Sequence, residues 1–154
     1  MKKMKKNLLV LFLIFGTFVS FSQEIKWMTF NEAIAAQKKN PKPIFMDVYT
    51  DWCGPCKALD KNTFHDSSVV SFINENFYAV KFNGEGTELI KYKEFVFTNP
   101  NYNPEARGRN SQHQFTGYLR VQGYPSMYIF DEKGEIKSPI VGYQTPEQLL
   151  SLLK

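Results

Sequence analysis

The stretch Ile44-Phe45-Met46-Asp47-Val48-Tyr49-Thr50-Asp51-Trp52-Cys53-Gly54-Pro55-Cys56-Lys57 carries both cysteines of a 154-residue chain. Its first half is short, largely apolar and preceded by Pro43, the pattern of a buried central strand. Pro55 fits the first turn of a helix, where a missing N–H costs nothing. The two thiols therefore fall at a strand-to-helix junction, with Cys53 at or just before the helix start.

Such a pair is either a structural staple, half of a zinc site or a reagent. A ring this small gives a chain-entropy stabilisation of roughly 2 kcal/mol, against about 3 kcal/mol for a 15-residue loop. A staple here stabilises little. The unpaired amides and the positive dipole end of a helix N-terminus favour a thiolate, and the thiolate is the reactive form. The spacing thus favours a redox-active dithiol/disulfide couple.

Composition bounds the rest. With 43% apolar and 16% aromatic residues the chain suffices for one domain with a substantial core, and not for two. Residues 1–22 differ in kind: Lys2, Lys3, Lys5 and Lys6 precede an apolar run from Leu8 to Val19, followed by Ser20-Phe21-Ser22. This reads as a secretory signal peptide cleaved after Ser22, the apolar run being shorter than the roughly 20 residues that span a bilayer. Those four lysines account for the whole net charge of +4. The mature chain, 23–154, is formally neutral and gives no support to binding nucleic acid or anionic membranes. Stable membrane insertion after cleavage is not expected either. Outside the cytosol disulfides are permitted, yet there is one pair, so the domain must rely on its core.

Along the mature chain helices and strands alternate. Thr29 to Glu32 forms a capping box for a helix ending near Asn40. A helix from about Cys53 to Lys61 follows the Ile44–Tyr49 strand, and Asp66 or Ser67 caps another through Ile73. Phe77 to Phe82 reads as a strand, 110–119 as a helix, and Ser126–Phe130 with Ile136–Val141 as a hairpin. Thr145-Pro146-Glu147-Gln148 opens an amphipathic terminal helix. These elements predict an α/β sandwich with a central mixed β-sheet flanked by helices.

The mature chain resembles the thioredoxin family. The residues that carry the resemblance are Ile44 through Lys57, Phe77 to Asn83, Val121-Gln122-Gly123-Tyr124-Pro125-Ser126, and the glycines 134 and 142. The long helix before the strand and Thr63-Phe64-His65-Asp66 look more like bacterial periplasmic thiol:disulfide interchange domains. The resemblance implies a thioredoxin-like fold interrupted by an insertion, 84–109, before a cis-proline loop.

It also implies roles. Cys53 would be the exposed nucleophile and Cys56, more buried, the resolving thiol of a redox disulfide. Asp47 matches the family's buried acid and would take the proton of Cys56; read without the resemblance it is a solvent-facing strand-end aspartate. Lys81 would tune that proton or be a solvated strand lysine. Trp52, Tyr124, Pro125 and Gly142 would form the substrate-binding surface, with the backbone of Tyr124 pairing to an extended partner segment. The ring of Tyr124, larger than the usual residue there, narrows what docks or simply packs.

No cofactor and no metal are expected. His65 and His113 lack finger-like spacing relative to the cysteines and read as a loop residue and a helix-face residue. Gly84-Glu85-Gly86 reads as a turn. Within the insertion, Ile90 to Phe97 reads as a small hairpin and 99–104 as turn chemistry. A connection this long either selects partners or decorates the surface.

The expected function is an exported thiol:disulfide oxidoreductase, periplasmic or otherwise extracytoplasmic, that acts on disulfide-containing exported proteins, as a reductant or in an isomerase-like role given Gly54-Pro55. It would draw electrons from a membrane or periplasmic thiol donor. The alternative is a thioredoxin-fold adaptor for exported proteins with an incidental dithiol.

Overall fold

The computed structural model describes residues 23–154. The signal-peptide reading of 1–22 lies outside the described residues.

Five strands form one sheet: β1 (Trp27–Met28), β2 (Ile44–Tyr49), β3 (Tyr78–Asn83), β6 (Ser126–Phe130) and β7 (Ile140–Val141), in the order β1-β3-β2-β6-β7. The first three are parallel to one another; β6 pairs antiparallel with β2, and β7 antiparallel with β6. Helices α1 (Phe30–Lys39), α2 (Gly54–Asn62), α3 (Ser67–Asn76), α4 (Gln114–Tyr118) and α5 (Pro146–Leu153) flank it. A separate hairpin, β4 (Ile90–Tyr92) with β5 (Phe95–Phe97), lies within the insertion. This is the mixed α/β sheet that the sequence predicts.

The two-residue period of β2 sorts its side chains between two cores. Ile44, Met46 and Val48 join Phe30, Phe82, Phe115 and Phe130 on one face. Phe45 joins Leu59, Phe64, Ile73, Met127 and Leu149 on the other, beneath α2, α3 and α5. Each fully buried side chain of this size contributes about 1.5–3 kcal/mol. Asp47 shares the strand face of Phe45, and its register partner across the parallel pair is Lys81. Side-chain alternation therefore aims both at the helix that begins with the cysteines.

Three elements depart from expectation. The strand expected from Phe77 starts at Tyr78, because the Phe77 amide caps α3 by donating to the Ile73 carbonyl at 2.9 Å. The second hairpin strand shrinks to Ile140–Val141, with one bridge at Phe130–Ile136. Pro139 lies in the gap and has no N–H to give to the ladder. The helix expected over 110–119 begins only at Gln114, since the Asn110 amide is drawn to the Glu85 carboxylate at 2.8 Å. His113 is a correction too. It is the N-cap, fully buried, with Nδ1 accepting from the Phe115 amide at 3.0 Å and Nε2–H donating to the Glu88 carbonyl at 2.7 Å. Burial holds its imidazole below the usual pKa, the neutral form that this pairing needs.

The insertion is part of the fold. Ile90 and Tyr92 are buried in the Phe30–Phe115 core, and the Tyr92 hydroxyl donates to the Gly134 carbonyl at 2.8 Å. Its base is closed by Asn99, whose amide donates to the carbonyls of Gly86 and Ser111 at 3.1 and 2.8 Å. Hairpin tip residues Phe95 and Val96 stay exposed.

Candidate active site

Cys53 and Cys56 are joined as a disulfide at the start of α2, with Cα atoms 5.3 Å apart. Cys53 is the N-cap, and its Sγ accepts the Cys56 amide at 3.1 Å. Pro55, in the first turn, removes one donor that would otherwise need a partner. Once the pair is reduced, the same amide and the helix dipole are in place to hold a Cys53 thiolate.

The expected contrast of an exposed Cys53 and a more buried Cys56 is not observed: they are 2% and 5% exposed. The Cys53 amide donates to the Thr50 carbonyl at 3.2 Å while its sulfur accepts from Cys56, so the residue is folded back over the helix start.

Beneath the helix Asp47 is 1% exposed, which excludes a solvent-facing strand-end aspartate. Lys81 Nζ lies 3.4 Å from its Oδ2, and Oδ1 has no hydrogen-bond partner. Desolvation outweighs the attraction of Lys81 and pushes the carboxyl up from 3.8 to about 6. The same ammonium also pairs with Asp60, so Lys81 bridges two carboxylates. A cleft of about 300 Å3 is lined by Thr50, Cys56, Asp60 and Lys81 and opens this cluster beside the second cysteine. Cys56, Asp60 and Lys81 thus share one cleft, and Lys81 connects it to the buried Asp47. Asp60 was missed in the sequence, although its spacing of one helical turn from Cys56 is a readable signal.

On the other side, the Tyr124–Pro125 peptide bond is cis. The Pro125 carbonyl accepts the Gly142 amide at 2.9 Å, placing Gly142 beside it. Neither the N–H nor the C=O of Tyr124 has a backbone partner among the described residues. The Tyr124 ring stands edge-on to Trp52, with centroids 5.9 Å apart. It packs because Gly84 makes room: a Cβ there would lie 2.7 Å from the Tyr124 hydroxyl. Gly84→Ala should destabilise the fold by about 1–3 kcal/mol through overpacking, read from urea unfolding. In a Tyr124→Ala background that cost should vanish; an unchanged cost would refute the contact.

Trp52 is held by residues that the sequence reading left unassigned. Its Nε1–H donates to Glu85 Oε2 at 2.9 Å, and the Arg109 guanidinium stacks over the indole at 4.2 Å. Both come from the ends of the insertion, 24 residues apart in sequence, with no local pattern to link them.

A cysteine pair at a helix start, a buried carboxyl beneath it and a cis-proline beside it, all on a mixed sheet, define a thioredoxin-like domain. Residues 30–154 match the thioredoxin-like domain family, and the chain belongs to that family. Over 126 residues it is 29% identical to the thiol:disulfide interchange protein DsbD of Pectobacterium atrosepticum, covering 80% of this chain and 18% of that protein. The chain thus spans under a fifth of this relative.

Among solved structures, a candidate disulphide-isomerase from Bacteroides thetaiotaomicron superposes with a TM-score of 0.60 at 26% identity. That likeness covers 86% of this chain and 93% of the other. A thioredoxin from Thermus thermophilus gives a TM-score of 0.63 at 14% identity, covering 84% and 85%, and shows the shared fold. Among the described residues no helix is long and apolar enough to cross a membrane.

Proposed function

We propose that this chain is an exported thiol:disulfide oxidoreductase that reduces disulfides of other exported proteins. The observation that carries the reading is the Cys53–Cys56 pair at the start of α2, together with the buried Asp47 that Lys81 links to the partly exposed Asp60. Residues 1–22 serve as the export signal, and the thiol:disulfide interchange relatives support an extracytoplasmic setting.

The Cys53 thiolate attacks one sulfur of a partner disulfide, breaking that bond and forming a mixed disulfide; the other partner sulfur leaves as a thiolate. Cys56 gives its proton to the Asp47 carboxylate, attacks Cys53 Sγ and expels the second partner sulfur. The partner gains two electrons and this chain ends with its own disulfide. Trp52, Tyr124, Pro125 and Gly142 frame the approach, the free backbone groups of Tyr124 pairing with an extended partner strand. A membrane or periplasmic thiol protein restores the dithiol.

Direction is testable by redox equilibrium. Equilibrated with glutathione buffers, the pair should show a potential near that of thioredoxins, about −270 mV, well below the roughly −120 mV of strong oxidants. A value above about −180 mV would overturn the reductant assignment.

A further inference from the structure

Arg109 is exposed, and its guanidinium has neither a hydrogen bond nor an ion pair among the described residues. Its position is nevertheless fixed. One face lies on the Trp52 indole, and the backbone of the next residue is tied to Glu85, the acid that also holds the indole N–H. Asn110 in turn binds Asn103 through both side-chain atoms, at 2.9 and 2.7 Å. The nearby carboxylates are already engaged: Glu85 with Trp52 and Asn110, Asp51 with the Asn83 amide at 3.1 Å. A guanidinium stacked on an aromatic face keeps its in-plane N–H donors free, and their fork matches a carboxylate.

Tyr124, Trp52 and Arg109 form a continuous row, with Tyr124 edge-on to the indole at 5.9 Å and the guanidinium 4.2 Å above it. An extended segment paired to Tyr124 crosses this row in roughly three residues, at about 3.3 Å per residue. We propose that Arg109 is a specificity-determining contact, selecting partner segments that carry an Asp or Glu about two to four residues from the reacting cysteine. This rests on the oxidoreductase reading above and gives the insertion its part in partner choice. Arg109 touches no reacting atom; it acts on which substrates dock.

The test uses two synthetic peptides, each with one disulfide and identical except for Glu or Lys three residues from the cysteine. Single-turnover reduction by the pre-reduced protein is followed by chromatography, and the readout is the ratio of the two rates. Taking a ratio cancels any general loss of activity in a variant. The wild type should favour the Glu peptide by about three- to ten-fold, the range of a partly exposed charge pair. Arg109→Lys should keep part of that preference, Arg109→Ala should remove it, and Arg109→Glu should reverse it. Added NaCl should shrink the wild-type ratio. Equal ratios in wild type and Arg109→Glu would overturn the proposal while leaving the oxidoreductase reading intact. Failure of the wild type to reduce either peptide would overturn both.

Discussion

Asp47→Asn should stabilise the oxidised protein by about 2–3 kcal/mol at pH 7.5 and have little effect at pH 3.5. The folded-state pKa of about 6 lies above the ordinary 3.8, because burial outweighs the pull of Lys81. Between those pH values the folded protein holds a proton that the unfolded chain has released. Stability therefore falls as pH rises from about 4 to about 6 and stays low above, a loss of about 3 kcal/mol for this separation. Asparagine cannot ionise, so the loss disappears, and Lys81 keeps Asp60 as a partner. Urea unfolding at the two pH values checks this; equal effects at both would contradict it.

The same substitution should harm catalysis. With Asp60 still ion-paired to Lys81 but the buried proton acceptor gone, release of the mixed disulfide should slow by about 10²-fold, the lower end for a lost general base. The wild-type rate should climb as pH passes about 6, and the variant should lack that step. A more stable yet slower protein separates a functional acid from a structural one.

Loss of either sulfur should have the larger effect on rate, and the two losses should differ in kind. Cys53→Ser leaves no nucleophile at the helix start, since a hydroxyl does not form the mixed disulfide; disulfide reduction should fall by about 10³-fold or more. Cys56→Ser keeps the first attack and removes the second. It should therefore complete one exchange per molecule and stop with the partner attached through Cys53. Interchangeable phenotypes, or full activity in Cys53→Ser, would favour an adaptor with an incidental dithiol.

The local part of this design was legible in the sequence. The apolar run of β2, Pro55, the capping boxes and the hairpin tip each act over a few residues. Asp47 was legible through the family resemblance alone: without it the residue read as a solvent-facing strand end, and its burial opposite Lys81 depends on the pairing of β2 with β3. What was hidden depends on contacts between distant segments. Strand β1 is only two residues, Trp27–Met28, too short for any period, and exists through its pairing with β3. Glu85 and Arg109 meet Trp52 only when the insertion closes on itself. His113 has no helix-face position because its ring caps the helix backbone instead. The near-equal burial of Cys53 and Cys56 follows from the N-cap geometry of the disulfide, which no spacing rule reveals.

The most direct measurement of the central claim is mass spectrometry of the reduced Cys56→Ser protein after incubation with a disulfide-containing exported protein. A one-to-one adduct linked through Cys53 and released by dithiothreitol is the predicted result. No adduct, under conditions where the wild-type protein reduces the same partner, would contradict exchange through Cys53.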